Sequence, residues 1–166
     1  MSHYDWSKFS LKVDIRATPS AVYNAWATQS NLESWFLRKA LFTTPDGKLR
    51  DDSEAVQPGD TYLWRWHGYD DKTQEKGKVL DLNGKDMFKF TFAGECVVTV
   101  TCKLQDGRTI MELVQEKIPT DEISKVRLHL GCNNGWTFYM TNLKSVMEGG
   151  LDLRNRNVNL KNVVTS

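Results

Sequence analysis

Between residues 9 and 16 apolar and polar side chains take strict turns: Phe9, Leu11, Val13 and Ile15 on one face, Ser10, Lys12, Asp14 and Arg16 on the other. A period of two is the signature of a half-buried strand. The alternation stops at Thr18-Pro19, where a capping hydroxyl precedes a proline suited to the first position of a helix. Val22 and Trp26, four apart, place an apolar stripe on that short helix. Ser30 with Glu33 three residues on reads as a capping box and predicts a second short helix carrying Leu32, Trp35 and Phe36.

Turn signals fill residues 45–59: Pro45-Asp46-Gly47, the acids Asp51, Asp52 and Glu54, then Pro58-Gly59. The acidic cluster lacks the ligand and glycine spacing of a calcium loop and reads as solvated. Five strands are predicted beyond it, over 61–67, 73–82, 87–92, 95–104 and 108–116, with Asn83-Gly84 and Asp106-Gly107 as hairpin signals. In the first of them Tyr62, Trp64 and Trp66 share a face. In the 87–92 strand Phe88, Phe90 and Phe92 do, and in the next Cys96, Val98, Val100, Cys102 and Leu104 do. Residues 39–44 supply a candidate further strand. The pattern is a meander of consecutive antiparallel strands.

Residues 119–132 fit either period, through Ile123, Val126 and Leu130 as a helix or Val126, Leu128 and Leu130 as a strand. The N-terminal-turn residues Thr120, Asp121 and Glu122 favour helix. From about 134 to 148 the pattern is plainly helical: Trp136, Met140, Leu143 and Met147 recur at i, i+4, i+7 and i+11, widened by Tyr139 and Val146, and Gly149-Gly150 ends the run. The Asn-rich tail after it is expected to be ordered by packing of Leu151 and Leu153, then frayed. These elements predict an α+β architecture in which a curved antiparallel sheet of about seven strands wraps a long C-terminal helix, with two short helices after strand one closing an end. The expected layout is a domain over 1–154 and a tail over 155–166.

A strongly bent sheet is not filled by one helix, so a cavity between sheet and helix is expected. Its candidate walls are Trp64, Trp66, Phe88, Phe90, Val100, Met111 and Leu113 from the strands, Trp35 from the second short helix, and Trp136, Tyr139, Met140 and Leu143 from the long one. Composition sharpens this picture. In 166 residues there are six tryptophans and seven phenylalanines, enough for a large aromatic core or an aromatic-lined cavity. Twenty-two basic and 21 acidic residues leave a net charge of +1, without the basic excess that nucleic-acid binding needs. No apolar run approaches the roughly 20 residues of a membrane span. The opening Met1-Ser2-His3-Tyr4-Asp5-Trp6 lacks the basic and apolar regions of a secretory signal. Three cysteines without paired spacing fit a reducing cytoplasm.

Several stretches in order resemble a known family. They are Ile15-Arg16-Ala17-Thr18-Pro19 followed by Val22, Trp26, Leu32, Trp35 and Phe36; the strand with Gly59 and Trp64; Gly77-Lys78-Val79-Leu80; Gly135-Trp136 with Leu143; and Gly149-Gly150-Leu151-Asp152-Leu153-Arg154. Together they resemble the Hsp90 ATPase activator homologue 1-like family of the START/Bet v 1-like (SRPBCC) superfamily. The resemblance implies a helix-grip fold around a cavity for a hydrophobic small molecule. It implies no single activity: members bind lipids, hormones or polyketides, some catalyse cyclisation or hydrolysis, and the family name comes from an Hsp90 co-chaperone.

Catalytic signals are weak. His67 ends the tryptophan-rich strand near Asp70 and Asp71 and reads as a solvent-facing side chain rather than a general base. His129 and Cys132, three apart, are two potential metal ligands where zinc needs three or four. Cys96 and Cys102 lie roughly 20 Å apart along a strand at about 3.3 Å per residue, too far to bridge. There is no nucleophile elbow and no phosphate-cradling loop. Arg65, Glu112 and Glu116 alternate with apolar neighbours, and Arg65 and Glu112 are expected to face outward. No catalytic residue, metal or cofactor is therefore assigned. The expected role is binding of a small hydrophobic or amphipathic ligand, with an Hsp90-type co-chaperone or stress-response role and a cyclase or hydrolase activity as alternatives.

Overall fold

The computed structural model describes residues 3–166, so Met1 and Ser2, and with them the start of the 1–154 span and of the opening hexapeptide, lie outside it. Seven strands form one antiparallel sheet in the order β1-β7-β6-β5-β4-β3-β2: β1 (Phe9–Ile15), β2 (Lys39–Thr43), β3 (Thr61–Arg65), β4 (Gln74–Leu82), β5 (Met87–Phe92), β6 (Cys96–Gln105) and β7 (Arg108–Glu116). From β3 to β7 each strand pairs with its neighbour in sequence, as the hairpin signals require. Asn83 accepts three backbone N–H bonds across its turn, from Lys85, Asp86 and Met87. Gly84 takes the left-handed φ of 69° that this turn needs. The one long excursion runs from edge β1 to edge β2 through α1 (Pro19–Asn24) and α2 (Gln29–Trp35), which close one end of the sheet.

Thr18 caps α1 by accepting from the Ala21 N–H, with Pro19 in the first turn. The second cap differs from expectation. Thr28, not Ser30, caps α2 by accepting from the Asn31 N–H. The Glu33 carboxylate is engaged elsewhere, by Gln29 and the Ala40 N–H at the start of β2, so the Ser30–Glu33 box does not form. Strand β3 stops at Arg65, two residues earlier than expected, and just beyond it the Arg38 side chain donates to the Trp66 carbonyl.

Helix runs continuously over 122–147, joining the ambiguous 119–132 stretch to the helix that follows it. It runs as α3 (Glu122–Ser124), a π-helical turn (Lys125–Leu130) and α4 (Gly131–Met147). The stripe of α4 is buried at Trp136, Tyr139, Met140 and Leu143. The preceding stripe is not: Ile123, Val126 and Leu130 are 68%, 62% and 46% exposed. The wider π turn instead sends His129 inward, where its ring bonds the Tyr4 hydroxyl at 2.8 Å and the Trp6 carbonyl at 2.9 Å.

The tail is also held differently from expectation. Leu151 is 78% exposed and Leu153 43%, and neither is buried as an anchor. Polar groups do the work. The buried Arg154 guanidinium donates to the Glu33, Ser34 and Leu37 carbonyls at the C-terminal end of α2, and to Asp152. A cation satisfying the last carbonyls of a helix both caps it and complements its dipole. Asn142 of α4, fully buried, donates to the Trp35 carbonyl at 2.7 Å and accepts from the Leu153 N–H at 2.7 Å. Farther on, Asn155 joins Thr165 and Ser166, so residues 155–166 fold back as a loop rather than fray.

Candidate functional site

The inward faces of the strands are set by register. Phe90 stands opposite Val98 and Phe88 opposite Val100. Val100 stands opposite Leu113, and Cys102 opposite Met111. Residues 97–100 and 110–114 are apolar on both sides in sequence, and the register places Val98, Val100, Met111 and Leu113 on the inner face. Leu104, expected to share the inner face, lies beyond it and is exposed.

The middle of this concave face is solid. Trp26, wholly buried, contacts Trp35, Phe36, Phe88, Phe90 and Trp136, with ring centroids 4.8–6.3 Å away. Its indole N–H points to the Met111 sulfur at 3.3 Å. Trp35 donates to the Ala25 carbonyl at 2.9 Å. The Trp26–Trp35 pair is edge-on and the other four are tilted, and a favourable aromatic pair adds about 0.5–1.5 kcal/mol beyond the area it buries.

The sheet parts at one place. The β4–β5 ladder carries an irregularity between Val79 and Asp81, with cross-strand partners only from Val79 to Leu82. Towards the other end of β4, side chains bridge the gap. Tyr62 donates its hydroxyl to the Thr91 carbonyl at 2.6 Å, Lys78 donates its N–H to the Thr91 hydroxyl, and Glu75 accepts the Ala93 N–H at 2.9 Å. Tyr62 lies flat across Gly77, where an added Cβ would stand 2.6 Å from its Cε1. The Tyr62 phenol is pushed well above its ordinary pKa by burial.

Beside this parting lies a cavity of about 500 Å³. Trp66, Tyr69 and Thr73 border it from the β3–β4 connection, Phe92 from the end of β5, and Phe36 from behind α2. Arg127, Gly131, Cys132, Gly135, Trp136 and Tyr139 border it from the long helix, and Ser166 from the tail. Two glycines inside one helix cost about 1 kcal/mol each against alanine, and here both border the cavity. A Cβ at Gly135 would meet nothing within 4 Å.

Of the twelve candidate wall residues, Trp66, Trp136 and Tyr139 border this cavity. Trp35, Trp64, Phe88, Phe90, Val100, Met111, Leu113, Met140 and Leu143 lie in the packed core around and beneath it. Sequence reasoning passed over Arg127, Tyr69, Phe92 and the two glycines as cavity residues. It also passed over Glu75, which is opposite Trp64 in register and therefore on the inner face. Burial raises the Glu75 pKa against the pull of the Ala93 and Gly94 N–H groups.

The reactive side chains near the cavity are quiet. Burial pushes the Cys132 thiol up to about 11 and Cys102 up to about 12, so neither is a thiolate at neutral pH. Beneath Cys132, Gln115 is fully buried and accepts the Trp136 indole N–H at 2.9 Å. His67 is half-buried rather than solvent-facing, and burial together with Arg154 and Arg156 lowers its pKa. Arg65 pairs with Asp71 at 3.7 Å, and Glu112 accepts from Ser10 at the outer surface. With both His129 nitrogens bonded, the His129–Cys132 pair offers no metal site. No cluster of three or more His, Cys, Asp or Glu suited to a metal occurs among the described residues.

A curved seven-stranded antiparallel sheet with a long C-terminal helix and two short helices after the first strand defines the helix-grip class. Residues 16–148 match the family model described as Activator of Hsp90 ATPase homolog 1-like protein, and the chain belongs to that family. No curated protein matches it. Among solved structures, a Staphylococcus saprophyticus protein is similar at 17% identity and a TM-score of 0.70, over 91% of this chain and 98% of that one. The Aha1 dimer from Colwellia psychrerythraea is similar at 18% identity and a TM-score of 0.65, over 86% and 97%. A putative protein in the dynemicin biosynthetic locus is similar at 16% identity and a TM-score of 0.63, over 88% of this chain and 49% of that one. At these identities the likeness is one of fold. No helix of the described residues is long and apolar enough to cross a membrane.

Proposed function

We propose that this chain is a cytoplasmic, non-catalytic binding protein for a small hydrophobic or amphipathic molecule. Residues 1–154 form the working domain, and the 155–166 tail borders the site through Ser166. The observation that carries this reading is the cavity of about 500 Å³ beside a core that is otherwise solid. Its size falls within the roughly 300–1,000 Å³ typical of ligand pockets, and half of its bordering residues are aromatic, with few polar groups at the rim. Burial there contributes about 25 cal/mol per Å² of apolar ligand surface. Three free cysteines support a reducing compartment.

The test is a fluorescence titration with the neutral aromatic probe N-phenyl-1-naphthylamine against wild type and Gly135→Leu. Leucine at 135 grows into open space and takes up part of the cavity without disturbing the core. Saturable binding that Gly135→Leu weakens supports the reading. Absence of binding, or equal binding by the filled variant, contradicts it. Stimulation of a purified Hsp90 ATPase by wild type and Gly135→Leu alike, with no probe uptake, would move the function to the outer surface.

A further inference from the structure

We propose that the cavity selects anionic amphiphiles, taking a flat apolar body against its aromatic wall and the acidic group on the Arg127 guanidinium. This rests on the ligand-binding reading above and adds to it a chemical class. Arg127, Gly131, Gly135 and Tyr139 recur every four residues along the helix, and all border the cavity. The π-helical turn over Lys125–Leu130 lies just before the regular helix and carries Arg127 on this side. Such turns are rare, and they tend to mark functional positions.

The charges around the site leave Arg127 as its free cation. It has no ion-pair or hydrogen-bond partner among the described residues, whereas Arg38 and Arg65 share Asp71, and Arg154 and Arg156 share Asp152. The carboxylates on this side are engaged. Asp71 is held by its two arginines, Asp70 accepts the Lys72 N–H, and inward-facing Glu75 accepts the Ala93 N–H. Arg127 is exposed, so its guanidinium carries no burial penalty of its own. When a carboxylate or sulfonate docks, it becomes a forked, charge-assisted donor at the edge of an apolar wall. The two glycines leave the helix side of the slot flat, which suits a planar ring system better than a branched one.

The probe pair for the test is 1-anilinonaphthalene-8-sulfonate and N-phenyl-1-naphthylamine, which share a ring system and differ by the sulfonate. Each is titrated against wild type, Arg127→Gln, Arg127→Lys and Gly135→Leu, at low and high salt, with melting temperatures confirming that every variant is folded. Wild type should bind the anion about three- to tenfold more tightly than the neutral probe, the range expected for a partly exposed charged hydrogen bond. Arg127→Gln should bring the two affinities together, Arg127→Lys should retain part of the gap, and salt should narrow it in wild type. Equal affinities in wild type, or a gap that survives Arg127→Gln, overturn the anion preference while cavity binding stands. Failure of both probes, or undiminished binding of both by Gly135→Leu, removes the cavity reading itself and this inference with it.

Discussion

The two ends of the groove are built from the same residue types and behave oppositely. At one end Trp26 enters side on from the turn between α1 and α2, and Trp35, Phe88 and Met111 close around it until all four are wholly buried. At the other end Trp66, Phe92, Trp136 and Tyr139 stand around open space. The difference is one of backbone. The filled end is plugged by two short helices, while the open end has a parted β4–β5 ladder and two glycines on the facing helix. Aromatic content alone therefore says little about whether a helix-grip fold holds a ligand. What decides is whether the backbone brings a plug or withholds one.

The strongest way to break this contrast is to empty the filled end. Trp26→Ala removes a side chain with five aromatic neighbours, and large-to-small core changes of this kind cost about 3–5 kcal/mol. Chemical denaturation should show that loss, and the surviving folded fraction should accept a bulkier neutral probe than wild type. Gly77→Ala attacks the parting itself by driving a methyl into the Tyr62 ring, an overpacking worth about 1–3 kcal/mol. It should loosen the Tyr62–Thr91 bond, seen as faster hydrogen exchange at the Thr91–Ala93 amides.

A smaller effect comes from acid, through the clamp that binds α2, α4 and the tail. Burial raises the Asp152 pKa, but its bonds to Arg154 and Arg156 outweigh burial and hold the carboxyl well below its usual 3.8. A depressed carboxyl pKa contributes stability that is complete above about pH 4 and is lost as pH falls through the folded value. Melting temperature should drop between about pH 4 and pH 2, and Asp152→Asn should flatten that part of the profile. Smallest, and opposite in sign, is Gly135→Ala. It restores helix propensity without a clash and should gain up to about 1 kcal/mol.

Much of the fold was legible because its signals are local. Alternation over Phe9–Ile15, the Thr18-Pro19 cap and the Asn83-Gly84 turn each act within a few residues. The cavity was harder to read because its cause is not local. Phe88 and Phe90 look like Phe92 in sequence, yet Phe92 alone reaches the place where β4 and β5 part. Glu75 sits in the polar run Gln74-Glu75-Lys76, which hides that its side of the strand faces inward. The Ile123, Val126 and Leu130 stripe has helical spacing and a helix forms, but the π turn leaves those residues in solvent. Arg154 lies in a polar tail, and only the folded chain shows it at the C-terminal end of α2.

The contrast between the ends can be read in one spectrum. Six indole N–H signals report from Trp6, Trp26, Trp35, Trp64, Trp66 and Trp136 in a ¹H–¹⁵N correlation map. Titration with N-phenyl-1-naphthylamine should shift Trp66 and Trp136 progressively and leave Trp26 and Trp35 in place. Shifts at Trp26 and Trp35 with Trp66 and Trp136 unmoved, or no shift in any of the six, would contradict the account.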